Sequence, residues 1–218
     1  MAFYRRNLPH WVPEGKSIFI TWRLHGTLPA SARKKIRAAP SRLRPGRHGC
    51  AAKNQETDSE DSFDKAFLQL DSCLDAATKG PGWLANREFA DYAEYPVLRC
   101  AELGRYDLHA YVVMPNHVHV LFTPHAPLAK ISATLKGVSA RDINASLGRS
   151  GKPVWQDESF DHWIRTPDEF ERIRRYIEWN PVTAGLAARP ELWPWSSAST
   201  HWFNWKRQLI ASGTGPVN

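Results

Sequence analysis

The stretch MPNHVHVLF, Met114–Phe122, sets two histidines one residue apart behind a Pro-Asn turn. Residues two apart in a strand point to the same side. His117 and His119 therefore share one face, while Val118, Val120 and Phe122 share the other and suit a core. YDLHAYVVM, residues 106–114, reads as the preceding strand, so the two strands with Pro115-Asn116 between them form a hairpin. Two imidazoles side by side suit a divalent metal; the plainer reading is two histidines hydrogen-bonded on a half-exposed sheet. Structural zinc usually takes four ligands including cysteines, and no Cys stands near this pair. A hydrolase with three alternating histidines would need His at position 121, which is Leu121. An amidohydrolase barrel would need a larger chain with further ligand motifs. What remains is a two-histidine site that takes one or two more ligands from elsewhere.

Working outward, SIFITWRL (17–24) alternates and is rich in β-formers, so it reads as a strand. SARKKIRAA (31–39) reads as a short helix, and FDKAFLQLDSCLDAA (63–77) as another, with Phe63, Phe67, Leu70 and Leu74 on one face. Between them, residues 40–62 are polar with little apolar periodicity and read as a mobile insertion. LANREFADYAEYPVLRCAEL (84–103) is helical in pattern, with Pro96 expected to kink it or end a segment. LAKISATLKGVSARDINASL (128–147) reads as a long amphipathic helix with Leu128, Ile131, Leu135, Val138 and Ile143 near one side. VWQDESFDHWIR (154–165) reads as extended. There is no internal repeat, and the expectation is one domain over residues 12–200, interrupted at 40–62 and followed by a tail at 201–218.

A second helix bears on the histidines. Thr166-Pro167-Asp168-Glu169 offers a cap, then Pro at the first helical position, then Glu three after the cap. This is a capping box with two acids at the positive helix end. The helix is expected to run PDEFERIRRYIEWN and to stop at Asn180 because Pro181 follows. Tyr176 and Asn180 lie about 40° apart on it, one turn along the same side, with Ile173 and Ile177 on the adjoining apolar side. A tyrosine and an amide on that rim can look onto the sheet. The plainer readings are a core-edge tyrosine and an ordinary C-terminal Asn.

Composition bounds the partner. The 218 residues carry a net charge of +7 and a pI near 9.5, a balance that favours nucleic acid. The basic residues are clumped, as in Arg172-Arg174-Arg175, and each clump taken alone is a solvated face. Seven of the ten tryptophans crowd the last third. Most suit core packing, and Trp179, turned away from Ile177, is expected at the surface, where bases could stack on it. No apolar run is long enough to span a membrane. The basic N-terminus lacks the apolar region of a secretory signal, and the three scattered cysteines argue against a disulfide framework. The chain is expected in a bacterial cytoplasm.

Taken together, MPNHVHVL, WQDESFDHWIR, YIEWNPVTAGL and WPWSSA, in that order, resemble the REP-associated tyrosine transposases, which are single-tyrosine HUH (IS200-like) transposases. The earlier stretches IFITWRLHGTLP and GPGWL resemble the same family, so the likeness runs from about residue 12 to about 200. HxH alone says little; HxH followed by Y-I-x-x-N-P-V on a helix is specific. The resemblance implies an α+β HUH endonuclease (ferredoxin-like) fold, an antiparallel sheet with helices packed on it and the HxH on a central strand. It implies that His117 and His119 bind a divalent metal, Mg2+ or Mn2+, that Asn180 completes the site, and that Tyr176 is the nucleophile. It implies cleavage and rejoining of single-stranded DNA near REP-type hairpins through a 5′-phosphotyrosine. Arg172, Arg175, Trp179 and His162 are expected DNA contacts, in a monomer or homodimer. The segment 40–62 has no counterpart in that pattern. Two other classes remain: a non-catalytic nucleic-acid-binding descendant of a transposase, and an unrelated metallohydrolase, which would have no need of Tyr176.

Overall fold

The computed structural model describes residues 15–27 and 81–205, except 158, 201 and 203. The chain divides into two compact units, residues 1–25 with 81–218, and residues 26–80; the elements below all belong to the first. The helices expected over 31–39 and 63–77 and the insertion expected at 40–62 lie outside the described residues.

Four strands form an antiparallel sheet: β1 (Ile18–Arg23), β2 (Tyr106–Val113), β3 (His117–Pro124) and β4 (Phe160–Trp163), in the order β2-β3-β1-β4. The α+β class and the central position of the HxH strand are as expected. β2 and β3 are the hairpin, closed at Pro115-Asn116 with Met114 N–H donating to His117 O. β1 runs along the other side of β3, where Thr21 faces His119 and Arg23 faces His117.

One face of the sheet holds Ile18, Ile20 and Trp22 of β1, Tyr111 and Val113 of β2, and Val118, Val120 and Phe122 of β3. These pack with α1 (Arg87–Glu102) and α2 (Leu128–Ser146), which contribute Phe89, Ala93, Val97, Ile131, Leu135 and Ile143. Each Val, Leu, Ile or Phe side chain among these, once removed from water, stabilises the fold by about 1.5–3 kcal/mol. α1 continues through Pro96, so the proline does not end the segment. Pro96 forfeits one backbone hydrogen bond, but Phe89, Ala90 and Ala93 before it and Val97, Cys100 and Ala101 after it are all buried on one core, so packing keeps both halves helical. In α2 the buried position is Ser139 rather than Val138, because its hydroxyl donates to Leu135 O and accepts from Trp155 Nε1 at 2.9 Å.

Between α1 and β2 lies a buried polar pair, with the Tyr111 hydroxyl donating to Glu94 Oε1 at 2.7 Å. Burial pushes the Glu94 carboxyl up to about 7; the Tyr111 bond opposes this and Asp91 adds to it.

The face that carries the histidines is covered by α3 (Pro167–Thr183), which packs mainly on β2 and also on β3. Thr166 caps it, accepting from Glu169 N–H at 3.2 Å. The return bond of the expected capping box goes one residue further back, since Glu169 Oε2 accepts from Arg165 N–H at 2.7 Å. α3 does not stop at Asn180. It continues through buried Pro181 to Thr183 and ends at Gly185, whose φ is 70°. Leu186 N–H donates to Pro181 O and Gly185 N–H to Val182 O, the paired bonds of a Schellman stop. Gly185 tolerates the left-handed conformation that this stop requires, so the glycine rather than the proline ends the helix.

Beyond α3, residues 193–197 run along the outer edge of β2. Val113 N–H donates to Trp195 O, Trp193 Nε1–H to Val113 O, Ser197 N–H to Tyr111 O and Tyr111 N–H to Ser197 Oγ.

Candidate active site

His117 and His119 are fully buried, not half-exposed as the plainer reading had them. Both lie on β3 beneath α3, with ring centroids 4.6 Å apart. Each ring is held at Nδ1. His117 Nδ1 lies 2.6 Å from Asn116 Oδ1, and His119 Nδ1 lies 2.7 Å from Thr21 Oγ1. Phe19 stacks against His119 at 5.6 Å between centroids. The second ring nitrogens, Nε2, are buried as well.

α3 brings the other two expected residues to this pair. The Tyr176 ring meets the His119 ring edge-to-face at 5.7 Å between centroids. One turn on, Asn180 Nδ2–H donates to the Tyr176 hydroxyl oxygen at 3.0 Å. With the amide nitrogen toward the phenol, Oδ1 is the end left to face a cation. Ile173 and Ile177 are buried on the adjoining side and seat the helix, as expected. The four residues thus form one contiguous group, His117–His119–Tyr176–Asn180, drawn from one strand and one helix. Among the described residues there is no cluster of three or more His, Cys, Asp or Glu, so any metal here would rest on two imidazoles and an amide.

The expected DNA contacts separate into two kinds. Arg172 and Arg175 are exposed on α3, and Trp179 is 45% exposed, with the Arg175 guanidinium 5.7 Å from its ring centroid. These residues follow one another along the solvent side of the helix, next to Tyr176. His162 is different. It is buried on β4, and its Nε2 is 2.7 Å from Glu169 Oε1. Burial pushes the Glu169 carboxyl up, but the His162 bond, the Arg165 N–H and the charges of both residues outweigh it and hold the group below the ordinary carboxylate range. His162 ties the first turn of α3 to the edge of the sheet, so its ring has little surface to offer DNA.

Residues 84–180 match the family model described as Transposase IS200 like. The matched residues include His117, His119 and Tyr176 and close on Asn180. The resemblance read from the sequence holds at this level. A curated relative of that kind, the REP-associated tyrosine transposase of Escherichia coli (strain K12), is 26% identical over 92 residues, covering 42% of this chain. The match spans about half of that relative, 54% of its length. Two solved structures are similar. A REP-associated tyrosine transposase bound to a REP hairpin shares 18% identity over 99% of this chain and 89% of its own, with a TM-score of 0.48. A transposase-like protein from Deinococcus radiodurans R1 shares 16% over 81% and 98%, with a TM-score of 0.30. No helix among the described residues is long and apolar enough to cross a membrane.

Thr21 and Asn116 were not singled out in the sequence. Asn116 had a signal, since it directly precedes His117 in the turn. Thr21 had none, because its place opposite His119 depends on the pairing of strands 98 residues apart.

Proposed function

We propose that this chain is a metal-dependent single-strand DNA endonuclease and strand transferase that cleaves and rejoins DNA beside REP-type hairpins through Tyr176. The observation that supports it is the meeting of Tyr176 and Asn180 with the two buried imidazoles of β3. His117, His119 and Asn180 would hold a divalent cation. Two neutral imidazoles and an amide make a modest donor set, which suits exchangeable Mg2+ or Mn2+. Bound there, the cation would offset the negative charge of a phosphodiester and polarise its phosphorus.

The chain's own residues do the rest. Seating of Ile173 and Ile177 fixes the tyrosine-bearing turn, and the Asn180 amide orients the phenol oxygen. Positioning of this kind carries much of the rate of phosphoryl transfer. The phenol oxygen bonds to phosphorus while the bond from phosphorus to the 3′-oxygen breaks. The phenol proton goes to solvent and the departing 3′-oxygen takes one up. The products are a 5′-phosphotyrosine and a 3′-hydroxyl. Because the phosphodiester bond energy is kept in the tyrosyl ester, a 3′-hydroxyl can reverse the step, which makes rejoining as accessible as cleavage. Along the solvent side of α3, Arg172 and Arg175 would contact phosphates and Trp179 would stack on an unpaired base.

The test is incubation with end-labelled hairpin DNA and Mn2+, followed by a denaturing gel. The wild-type protein is expected to form a covalent adduct, and Tyr176→Phe, which removes only the reacting oxygen, to form none while binding the same DNA. Hairpin binding without an adduct at any metal concentration would instead support a non-catalytic DNA-binding protein.

A further inference from the structure

The two histidines present the same atom, Nδ1, to different partners. Asn116 Oδ1 is a carbonyl oxygen and can only accept, so at 2.6 Å the His117 Nδ1 must carry the hydrogen of that bond. A neutral imidazole protonated at Nδ1 has its lone pair on Nε2. His119 Nδ1 lies 2.7 Å from the hydroxyl of buried Thr21, an oxygen that can accept from an Nδ1–H as well as donate. We propose that Asn116 and Thr21 are positioning residues of this site, which fix both imidazoles as Nδ1–H tautomers so that Nε2 is the nitrogen each ring offers to a cation.

This rests on the reading of His117 and His119 as a ligand pair, but it concerns residues that reading does not name. The two partners come from different places in the fold. Asn116 belongs to the hairpin turn itself, and its own backbone is pinned by Leu24 N–H, which donates to Asn116 O at 2.8 Å. Thr21 sits on the neighbouring strand, directly opposite His119 in the register. Ring orientation is thereby set once by the turn and once by the sheet, before any ligand arrives. Phe19 stacking on His119 adds a steric limit to rotation of that ring. Partners of this type set ligand basicity and direction, and their loss commonly lowers metal affinity by about 10- to 100-fold.

The experiment needs no loaded enzyme. Long-range 1H–15N correlation of the imidazoles in the 15N-histidine-labelled, metal-free full chain reports the tautomer of each ring. Both His117 and His119 are expected as Nδ1–H. Asn116→Asp, which still only accepts, is expected to keep His117 in that form, whereas Asn116→Leu loses it. Thr21→Ser is expected to keep the His119 signature and Thr21→Val to lose it. Mn2+ titration followed by electron paramagnetic resonance should show weaker binding by about 10- to 100-fold in Asn116→Leu and Thr21→Val, with near wild-type binding in Asn116→Asp and Thr21→Ser. An Nε2–H tautomer at either ring of the wild-type chain would overturn the proposal without any variant. So would unchanged tautomers and unchanged Mn2+ affinity in folded Asn116→Leu and Thr21→Val. If the tautomers respond as expected but the wild-type chain takes up no Mn2+, the positioning roles stand and the ligand reading fails.

Discussion

Glu94→Gln isolates one buried charge. The carboxyl lies between α1 and β2, accepts from the Tyr111 hydroxyl at 2.7 Å, and is only 8% exposed. Burial raises it from an ordinary 4.5 to about 7. A raised carboxyl binds its proton more tightly in the folded chain than in the unfolded one. Its contribution is therefore complete below about pH 4.5 and is lost as pH rises through about 7. The displacement corresponds to roughly 3 kcal/mol. Glutamine keeps an oxygen to accept from Tyr111 and cannot ionise, so it lacks this slope. Relative to Glu94→Gln, the wild-type chain should lose roughly 3 kcal/mol between pH 4.5 and pH 8.5. For a chain of this size that is a relative fall in Tm of about 6–12 °C. Thermal melts of both proteins by circular dichroism across that range test it, and the difference between the two curves removes every group they share. Melting curves that stay parallel from pH 4.5 to 8.5 would refute a buried, displaced Glu94.

Three further outcomes are expected. His117→Ala or His119→Ala should abolish adduct formation at every Mg2+ concentration, whereas Asn180→Ala should slow it on the order of tenfold, about 1.4 kcal/mol of barrier, with partial rescue by Mn2+. Equal losses in all three with no response to metal would count against the ligand set. In competition at fixed salt, a hairpin with a single-stranded flank should be bound more tightly than the blunt hairpin or full duplex, and all should weaken as salt rises; equal affinities would mean that the flank is not read. Gly185→Ala meets no neighbouring atom within 4 Å, so only its φ of 70° resists substitution, and chemical denaturation should show a loss of about 1–2 kcal/mol. An unchanged midpoint would mean that the Schellman stop contributes nothing.

The hairpin that carries the histidines was legible because its signal is local. Alternation fixes which residues share a face, and a Pro-Asn turn fixes where the chain reverses. Tyr176 and Asn180 were legible for a similar reason, since a capped helix keeps its angular order over its whole length. The helix end was misread because Pro181 was weighed and Gly185, four residues on, was not. Packing also overrode a local rule at Pro96, where a buried face on both sides outweighed one missing hydrogen bond. Glu169 looked like half of a capping box, yet its carboxylate serves His162 and Arg165 N–H. Thr21 and the buried state of the histidine face depend on strand pairing and on α3 folding back over the sheet, and no short window of sequence carries that.

The strip at residues 193–197 has a consequence for how the chain is made. An open strand edge invites pairing with other chains, and β2 would present one next to the hairpin strand that bears both histidines. The residues that cover it follow all four strands in chain order. During synthesis the sheet can therefore assemble while its β2 side is still bare, and that side closes only once Trp193–Ser197 has emerged. Until those residues have emerged from the ribosome, the β2 side of the sheet is the edge most open to pairing with another chain.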